Sequence, residues 1–374
     1  MGPGTQVYLY VHIMKLRKKG LFYPGRSFFV VILILVNMSS ESIKADNDTL
    51  SDKFRGHDKT EAATMMTPKE AKQKMEKESQ EAKNNIARIP IPPLKGALTH
   101  YKDFPSKLIR PRPVDVWLPE GYDASSNKRY PVIYMHDGQM IFHHADSSLA
   151  GMDVFWNPDK VMTRLVNNNE VRPAIIVSIW MADWTEGDRG LELMPQKAVT
   201  DEVWRNMQEQ SSKWRAKSGV GALSSDKYLK FIVTELKPFV DGTYLTLMDQ
   251  PNTFIMGSSM GGLISAYAIS EYPDVFGGAA CLSTDWTHGD GAVARWFSDH
   301  WPAPGRNRIY YDYGTEGFEA YYEPFQLQMN EVLRGKGFIE GNDFMTQRFD
   351  GADHSPKSWN ARLHVPLKFL LGNN

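Results

Sequence analysis

Ser259 stands in the run Gly257-Ser258-Ser259-Met260-Gly261-Gly262, and a serine at the centre of G-x-S-x-G is a candidate nucleophile. The chemistry needs a sharp turn from strand to helix that holds the hydroxyl clear of the sheet. The flanks match that demand. Thr253-Phe254-Ile255-Met256 is a short apolar run after Asp249-Gln250-Pro251-Asn252, the profile of a buried strand preceded by a turn. Leu263, Ile264, Tyr267 and Ala268 then recur at helical spacing. Gly257 and Gly261 supply the positions, two before and two after the serine, that need almost no side chain. The amide of Met260, first in the helix, is expected to point at the same space as the Ser259 hydroxyl, with the positive end of the helix dipole behind it. By composition alone such a run arises easily, so its partners decide the reading.

A serine hydroxyl needs a base to take its proton and a carboxylate to hold that base in the right tautomer. On a strand-turn-helix scaffold of this kind the chain order is serine, acid, histidine. After Ser259 the histidines are His288, His300, His354 and His364. His354 lies in Asp350-Gly351-Ala352-Asp353-His354-Ser355, past the last predicted strand and before the last helix, where a loop presents it at the carboxyl edge of a parallel sheet. His364 falls inside that helix, and His288 and His300 read as surface or supporting groups. The acid is expected after the strand Arg308 to Tyr313, within Asp312-Tyr313-Gly314-Thr315-Glu316-Gly317-Phe318-Glu319. Asp312 is still on the strand. Glu319 is furthest along the loop and opens the next helix, so it is preferred, with Glu316 the open alternative. A second oxyanion donor is expected after the strand Pro131 to Met135, where the chain reads His136-Asp137-Gly138-Gln139-Met140. Gly138 lets the backbone approach, and the Gln139 amide is the choice.

The elements that must position these groups alternate along the chain. Strand-like runs at Val114 to Leu118, Pro131 to Met135, Ala174 to Trp180, Gly278 to Leu282, Arg308 to Tyr313 and Phe344 to Phe349 join the nucleophile strand. Between them lie helical patterns: Val161 to Val166, a helix capped at Ser225-Asp226 with a stripe of Leu229, Ile232, Val233 and Leu236, a helix carrying Phe325, Met329, Val332 and Leu333, and a closing helix from Pro356. Alternation of this kind implies an α/β fold with a mostly parallel, doubly wound sheet flanked by helices. Met181 to Leu223, with Trp184, Trp204 and Trp214 among charged residues, breaks the rhythm and reads as an insertion over the site.

The 374 residues are 42% hydrophobic, enough for a large core. With 43 basic and 44 acidic residues there is no field to attract nucleic acid. Residues 1–45 read as an N-terminal extension and signal peptide: Lys15 to Arg26 is basic, Phe28 to Val36 apolar, and small residues end at Ala45. Met14, followed by Lys15, reads as a more natural start than Met1. The apolar run is too short for a stable membrane span in the mature protein, so export to a periplasm or medium is expected. Residues 46–93 read as a charged linker or solvated helix and 94–374 as the catalytic domain. The single cysteine, Cys281, leaves no internal disulfide. His143-His144 with Asp146 lacks metal-site spacing, and no Gly-rich phosphate loop follows the first strand, so neither a metal nor a cofactor is called for.

Four strings carry a resemblance: YMHDGQMIF (Tyr134 to Phe142), SDKYLKFIVTELKPFVD (Ser225 to Asp241), IMGSSMGGLISAYAISEYPDVFGGAACLS (Ile255 to Ser283) and FDGADHSPKSW (Phe349 to Trp359). From about Val114 to the C-terminus the chain resembles the esterase family of α/β-hydrolases that includes esterase D, enterochelin esterases, feruloyl esterase domains and mycolyltransferases. The resemblance implies the α/β-hydrolase fold, Ser259 as nucleophile, His354 as base and an acid in the Gly314-Thr315 loop. Many relatives carry an Asp a few residues past that glycine, where Gly317 stands here, and Met140 replaces the usual Asn of Asp-Gly-Gln-Asn. The expected activity is hydrolysis of a small-molecule or glycan ester through an acyl-enzyme. Two alternatives stay open: an acyltransferase on the same scaffold, and a catalytically silent glycan-binding relative using Trp180, Trp184, Trp286 and Trp301.

Overall fold

Strands β1 (Ala97–Phe104), β2 (Arg112–Leu118), β3 (Val132–Met135), β4 (Ile175–Ile179), β5 (Thr253–Ser258), β6 (Gly278–Leu282), β7 (Arg308–Gly314) and β8 (Phe344–Phe349) form one sheet in the order β1-β2-β4-β3-β5-β6-β7-β8. The structure, a computed structural model, describes residues 94–143, 154–182, 188–210 and 222–372. The signal-like segment, the charged stretch to Pro93, and His144, Asp146, Trp184 and Trp214 lie outside the described residues.

β3 to β8 pair in parallel, while β1 and β2 run antiparallel at one edge. The parallel strands β3 to β6 are buried along their whole length, which is why each reads as an unbroken apolar run in the sequence. Alternation along each strand deals its side chains to two faces. Ile133, Met135, Ile176, Phe254, Met256, Leu282 and Tyr310 meet the helices Pro158–Asn167, Pro356–Arg362 and His364–Leu371 through Met162, Leu165, Trp359, Leu363 and Leu367. Val132, Tyr134, Val177, Ile255, Cys281 and Tyr311 meet the opposite layer, which includes Leu229, Leu263, Ile264, Phe297 and Leu333. The doubly wound α/β-hydrolase architecture is therefore present. From β3 the chain steps to β4 on one side and then back past β3 to β5 on the other, so the loops after β3 and β5 flank the crevice where the winding reverses.

Three local expectations change. β1 has no apolar run to announce it, because most of Ala97–Phe104 is exposed on an edge. Ser225 does not cap its helix: it is the first residue of Ser225–Phe231, and its Oγ accepts from the Gln196 amide at 2.9 Å. The helix then passes through a π-helical turn, Ile232–Leu236, into Lys237–Thr243. The described part of the stretch Met181 to Leu223 contributes to the core rather than overlying it, since Leu193, Met194, Trp204 and Met207 are buried.

Beneath the carboxyl edge of the sheet lies a buried ion pair. Arg362, 2% exposed, donates to Asp312 Oδ1 at 3.0 Å and to Ser283 Oγ at 2.7 Å, and Asp312 is fully buried on β7. Burial raises the Asp312 carboxyl above its usual range, and Arg362 opposes that rise. Removing the arginine strands the carboxylate, so Arg362→Met is expected to cost about 3 kcal/mol or more in urea unfolding at neutral pH. A carboxyl whose folded pKa lies above its unfolded value carries this penalty above the carboxylate range and sheds it as pH falls through that range. The deficit should therefore shrink toward pH 4; a deficit independent of pH would contradict the ion-pair account.

Candidate active site

Gln139, Ser259, Glu319 and His354 follow the carboxyl ends of the parallel strands β3, β5, β7 and β8. β5 ends at Ser258, and Ser259 turns the chain into the helix Met260–Glu271 with φ 57° and ψ −122°, a conformation that costs a non-glycine residue free energy. The surrounding backbone holds it there. Ser259 N donates to Leu282 O at 2.9 Å, and Ser259 O accepts from Leu263 N at 3.1 Å and Asp285 N at 3.3 Å. Every residue from Thr253 to Ile269 is buried except Ser259, which is partly accessible. Met260 opens the helix, where backbone N–H groups have no intrahelical acceptor.

The two glycines of the motif differ. A Cβ on Gly257 would lie 2.7 Å from the backbone of Gly261, so the strand and helix can approach only without it. A Cβ on Gly261 would meet Asp137 Oδ2 at 3.4 Å and His136 Cβ at 3.5 Å, close to ordinary contact.

The loop after β3 lies alongside. Asp137 adopts φ 57°, and Gly138–Met140 form a 3₁₀ turn closed by Met140 N to Asp137 O at 3.0 Å. A Cβ on Gly138 would strike Trp180 Cδ1 at 2.5 Å and Ser178 Oγ at 2.7 Å, which explains the glycine. Gln139 Oε1 accepts from Met181 N at 3.3 Å, so that side-chain oxygen is engaged. Asp137 would place a negative charge beside this loop, but Arg189 grips it with two bonds of 2.7 Å. Burial, seconded by Arg189 and opposed by Asp137, pushes the His136 imidazole down to about 4, so it is neutral at physiological pH. Its Nδ1 lies 2.8 Å from the Tyr228 hydroxyl.

His354 and the acid loop meet at the ends of β7 and β8. His354 Nδ1 lies 2.9 Å from Glu319 Oε1, and Glu319 Oε2 accepts from Gly314 N at 2.7 Å. Glu319 is fully buried, whereas Glu316 is exposed and Asp312 is taken by Arg362. Glu319 lies in a 3₁₀ turn, Gly317–Tyr321, that precedes the helix Glu323–Gly335 rather than opening it. The two loops are laced together: Thr315 N and Glu316 N both donate to Ala352 O at 3.0 Å. Ser355 caps the next helix, accepting from Ser358 N at 3.3 Å. The His354 ring stands between two aromatic side chains, Trp359 at 5.1 Å and Tyr322 at 5.7 Å, each roughly perpendicular to it.

Sequence reasoning passed over Tyr322, Arg189 and Trp359. Tyr322 shares a face with Glu319 three residues earlier, but that spacing carries meaning only once the segment is known to be a 3₁₀ turn. The set Trp180, Trp286 and Trp301 does not form a sugar-stacking surface: Trp286 and Trp301 are buried in the core, and Trp180 Nε1 donates to Asp115 Oδ2 at 2.7 Å.

Residues 105–370 match the family described as Putative esterase, and the chain belongs to that family. Over 288 residues it is 22% identical to the uncharacterized protein YbbA of Bacillus subtilis (strain 168), covering 75% of this chain and 98% of that one. Among solved structures, the BES protein from Bacillus cereus aligns with TM-score 0.54 and 16% identity, over 75% of this chain and 97% of its own. A CE1 ferulic acid esterase from the anaerobic fungus Anaeromyces mucronatus aligns with TM-score 0.50 and 20% identity, over 76% and 94%. These alignments carry the fold, and the family assignment carries esterase chemistry.

The glycine contacts predict an asymmetry. Gly257→Ala forces backbone apart and should lower Tm by roughly 2–8 °C, the shift expected for about 1–3 kcal/mol of overpacking. Gly261→Ala should stay near the wild-type value. Equal losses in thermal melts would refute this account of the turn.

Proposed function

We propose that this protein is a serine carboxylic-ester hydrolase working through an acyl-enzyme. In this reading Ser259 Oγ attacks the ester carbonyl as its proton passes to His354 Nε2, and the carbonyl electron pair moves onto oxygen. The amides of Met260 and Gln139 stabilise that oxyanion. Collapse expels the alcohol, which takes the proton back from His354; water, deprotonated by the same histidine, then attacks the acyl group and releases the acid. Glu319 holds His354 with Nδ1 protonated and stabilises the imidazolium that forms. One observation carries the proposal: a fully buried carboxylate lies 2.9 Å from Nδ1 of a histidine on the last loop, at the same sheet edge as a serine held at positive φ on a strand-to-helix turn.

The substrate we assign is a small-molecule or glycan ester. Action outside the cytoplasm rests on the signal-like pattern within residues 1–45.

Ser259→Ala should abolish turnover of p-nitrophenyl acetate while leaving the melting curve intact; retained turnover would sink the assignment. Glu319→Gln leaves the geometry but withdraws the charge, and a loss of about 10³-fold or more in kcat is expected from the fate of triad acids. Glu316→Gln, at an exposed side chain, should change kcat less than about twofold. A larger loss in the Glu316 variant would reverse the assignment of the acid.

A further inference from the structure

Just past the end of β6 stands a buried hydroxyl that no step of the proposed hydrolysis uses. Ser283 is fully buried, and the residue before it, Leu282, is the one whose carbonyl accepts from Ser259 N at 2.9 Å. Ser283 holds φ 45°, a left-handed conformation that costs a serine free energy, and its amide is gripped by Asp312 O and Asp312 Oδ1, each at 3.0 Å. Its Oγ accepts two hydrogen bonds, from Trp359 Nε1 at 2.8 Å and from Arg362 Nη2 at 2.7 Å. Indole and guanidinium nitrogens only donate, so the direction of both bonds is fixed and both lone pairs of the hydroxyl are taken. Trp359 and Arg362 lie three apart in the helix Pro356–Arg362 and share one of its faces. The same indole stands with its ring centroid 5.1 Å from that of His354, at 84°, and 5.6 Å from that of Trp156.

We propose that Ser283 is a positioning residue of the active site: by accepting from Trp359 it fixes the indole, and through the indole it fixes the ring plane of His354. The inference rests on Ser259 and His354 being nucleophile and base. Glu319 anchors the imidazole by one atom, Nδ1, and a hydrogen bond keeps most of its strength through a bend of about 30°. Such a tilt is enough to carry Nε2, on the far side of the ring, off its line to the nucleophile. A neighbouring ring that cannot move removes that freedom. The buried indole is such a ring, because turning it away from Ser283 would leave its N–H without a partner. Arg362, itself paired with Asp312, adds the second bond that keeps Oγ aimed at this helix. The end of β6 thus holds both halves of the site by consecutive residues: Leu282 O holds the backbone of Ser259, and Ser283 Oγ holds the ring beside His354. Ser283 exchanges no proton in the reaction and acts through Trp359 alone.

The test is a double-mutant cycle on the whole chain. Ser283→Gly deletes the hydroxyl at a φ that glycine adopts freely, and Trp359→Phe keeps an aromatic ring but removes the N–H. Each variant is read by steady-state hydrolysis of p-nitrophenyl acetate, by the rate at which a fluorophosphonate labels Ser259, and by Tm. The expected result for each single variant is a loss of about 5- to 50-fold in both kcat and labelling rate, below the roughly 100-fold that a full 1 Å misplacement costs, with KM changed less than about threefold. Once Trp359 is replaced, removing the Ser283 hydroxyl should cost little more, so the double variant loses about as much as Trp359→Phe alone. Rates within about twofold of wild type in either single variant, whatever the change in Tm, would overturn the inference and leave Ser259 as nucleophile. Losses that multiply in the double variant would overturn it as well. A wild-type protein that the probe does not label at Ser259 would overturn the nucleophile assignment itself.

Discussion

The carboxylate of Glu319 is the point on which the rest of the site depends. It is fully removed from water, and its two oxygens meet the Gly314 amide and His354 Nδ1. A buried charge is tolerated only while such donors stay in place, so the acid loop, the end of β7 and the histidine loop are fixed by one requirement. A glutamate reaches this point because Gly317, at φ 60°, starts a 3₁₀ turn that swings position 319 back toward the sheet edge. The bonds from Thr315 N and Glu316 N to Ala352 O tie the loops together by their backbones, independently of any side chain.

The other half of the site rests on a different constraint. Ser259 occupies a strained conformation that persists because the end of β6 holds its N–H through Leu282 O, while Leu263 of the following helix and Asp285 hold its C=O. Close approach of Gly257 to Gly261 keeps that turn tight, and the winding reversal beside β3 puts the Gly138–Met140 turn next to it. Arg189 neutralises Asp137 there, so the loop assigned to receive a developing oxyanion is not opposed by a bare carboxylate.

Much of the fold was legible because its central strands are buried on both faces and must be continuously apolar, whereas the edge strand β1, carrying Thr99, His100, Lys102 and Asp103, offers no such signal. Of the site, the turn around Ser259 and the loop around His354 could be read from local chemistry, since a tight turn demands glycine at fixed offsets. The acid is harder to read. Three carboxylates within eight residues look alike in sequence, and what separates them is tertiary: Asp312 faces Arg362, Glu316 faces solvent, and Glu319 faces His354. Arg189 was invisible for the same reason, because it acquires its role from Asp137, a partner distant in the chain.

Nucleophile, base and acid are read here as one unit, and that unit implies a covalent acyl-enzyme. Rapid mixing with p-nitrophenyl acetate, followed by acid quench and peptide mass mapping, tests it most directly. The account predicts a burst approaching one p-nitrophenol per chain and an acetyl group on the peptide containing Ser259. Turnover with no burst and no acetylated Ser259 peptide would contradict it.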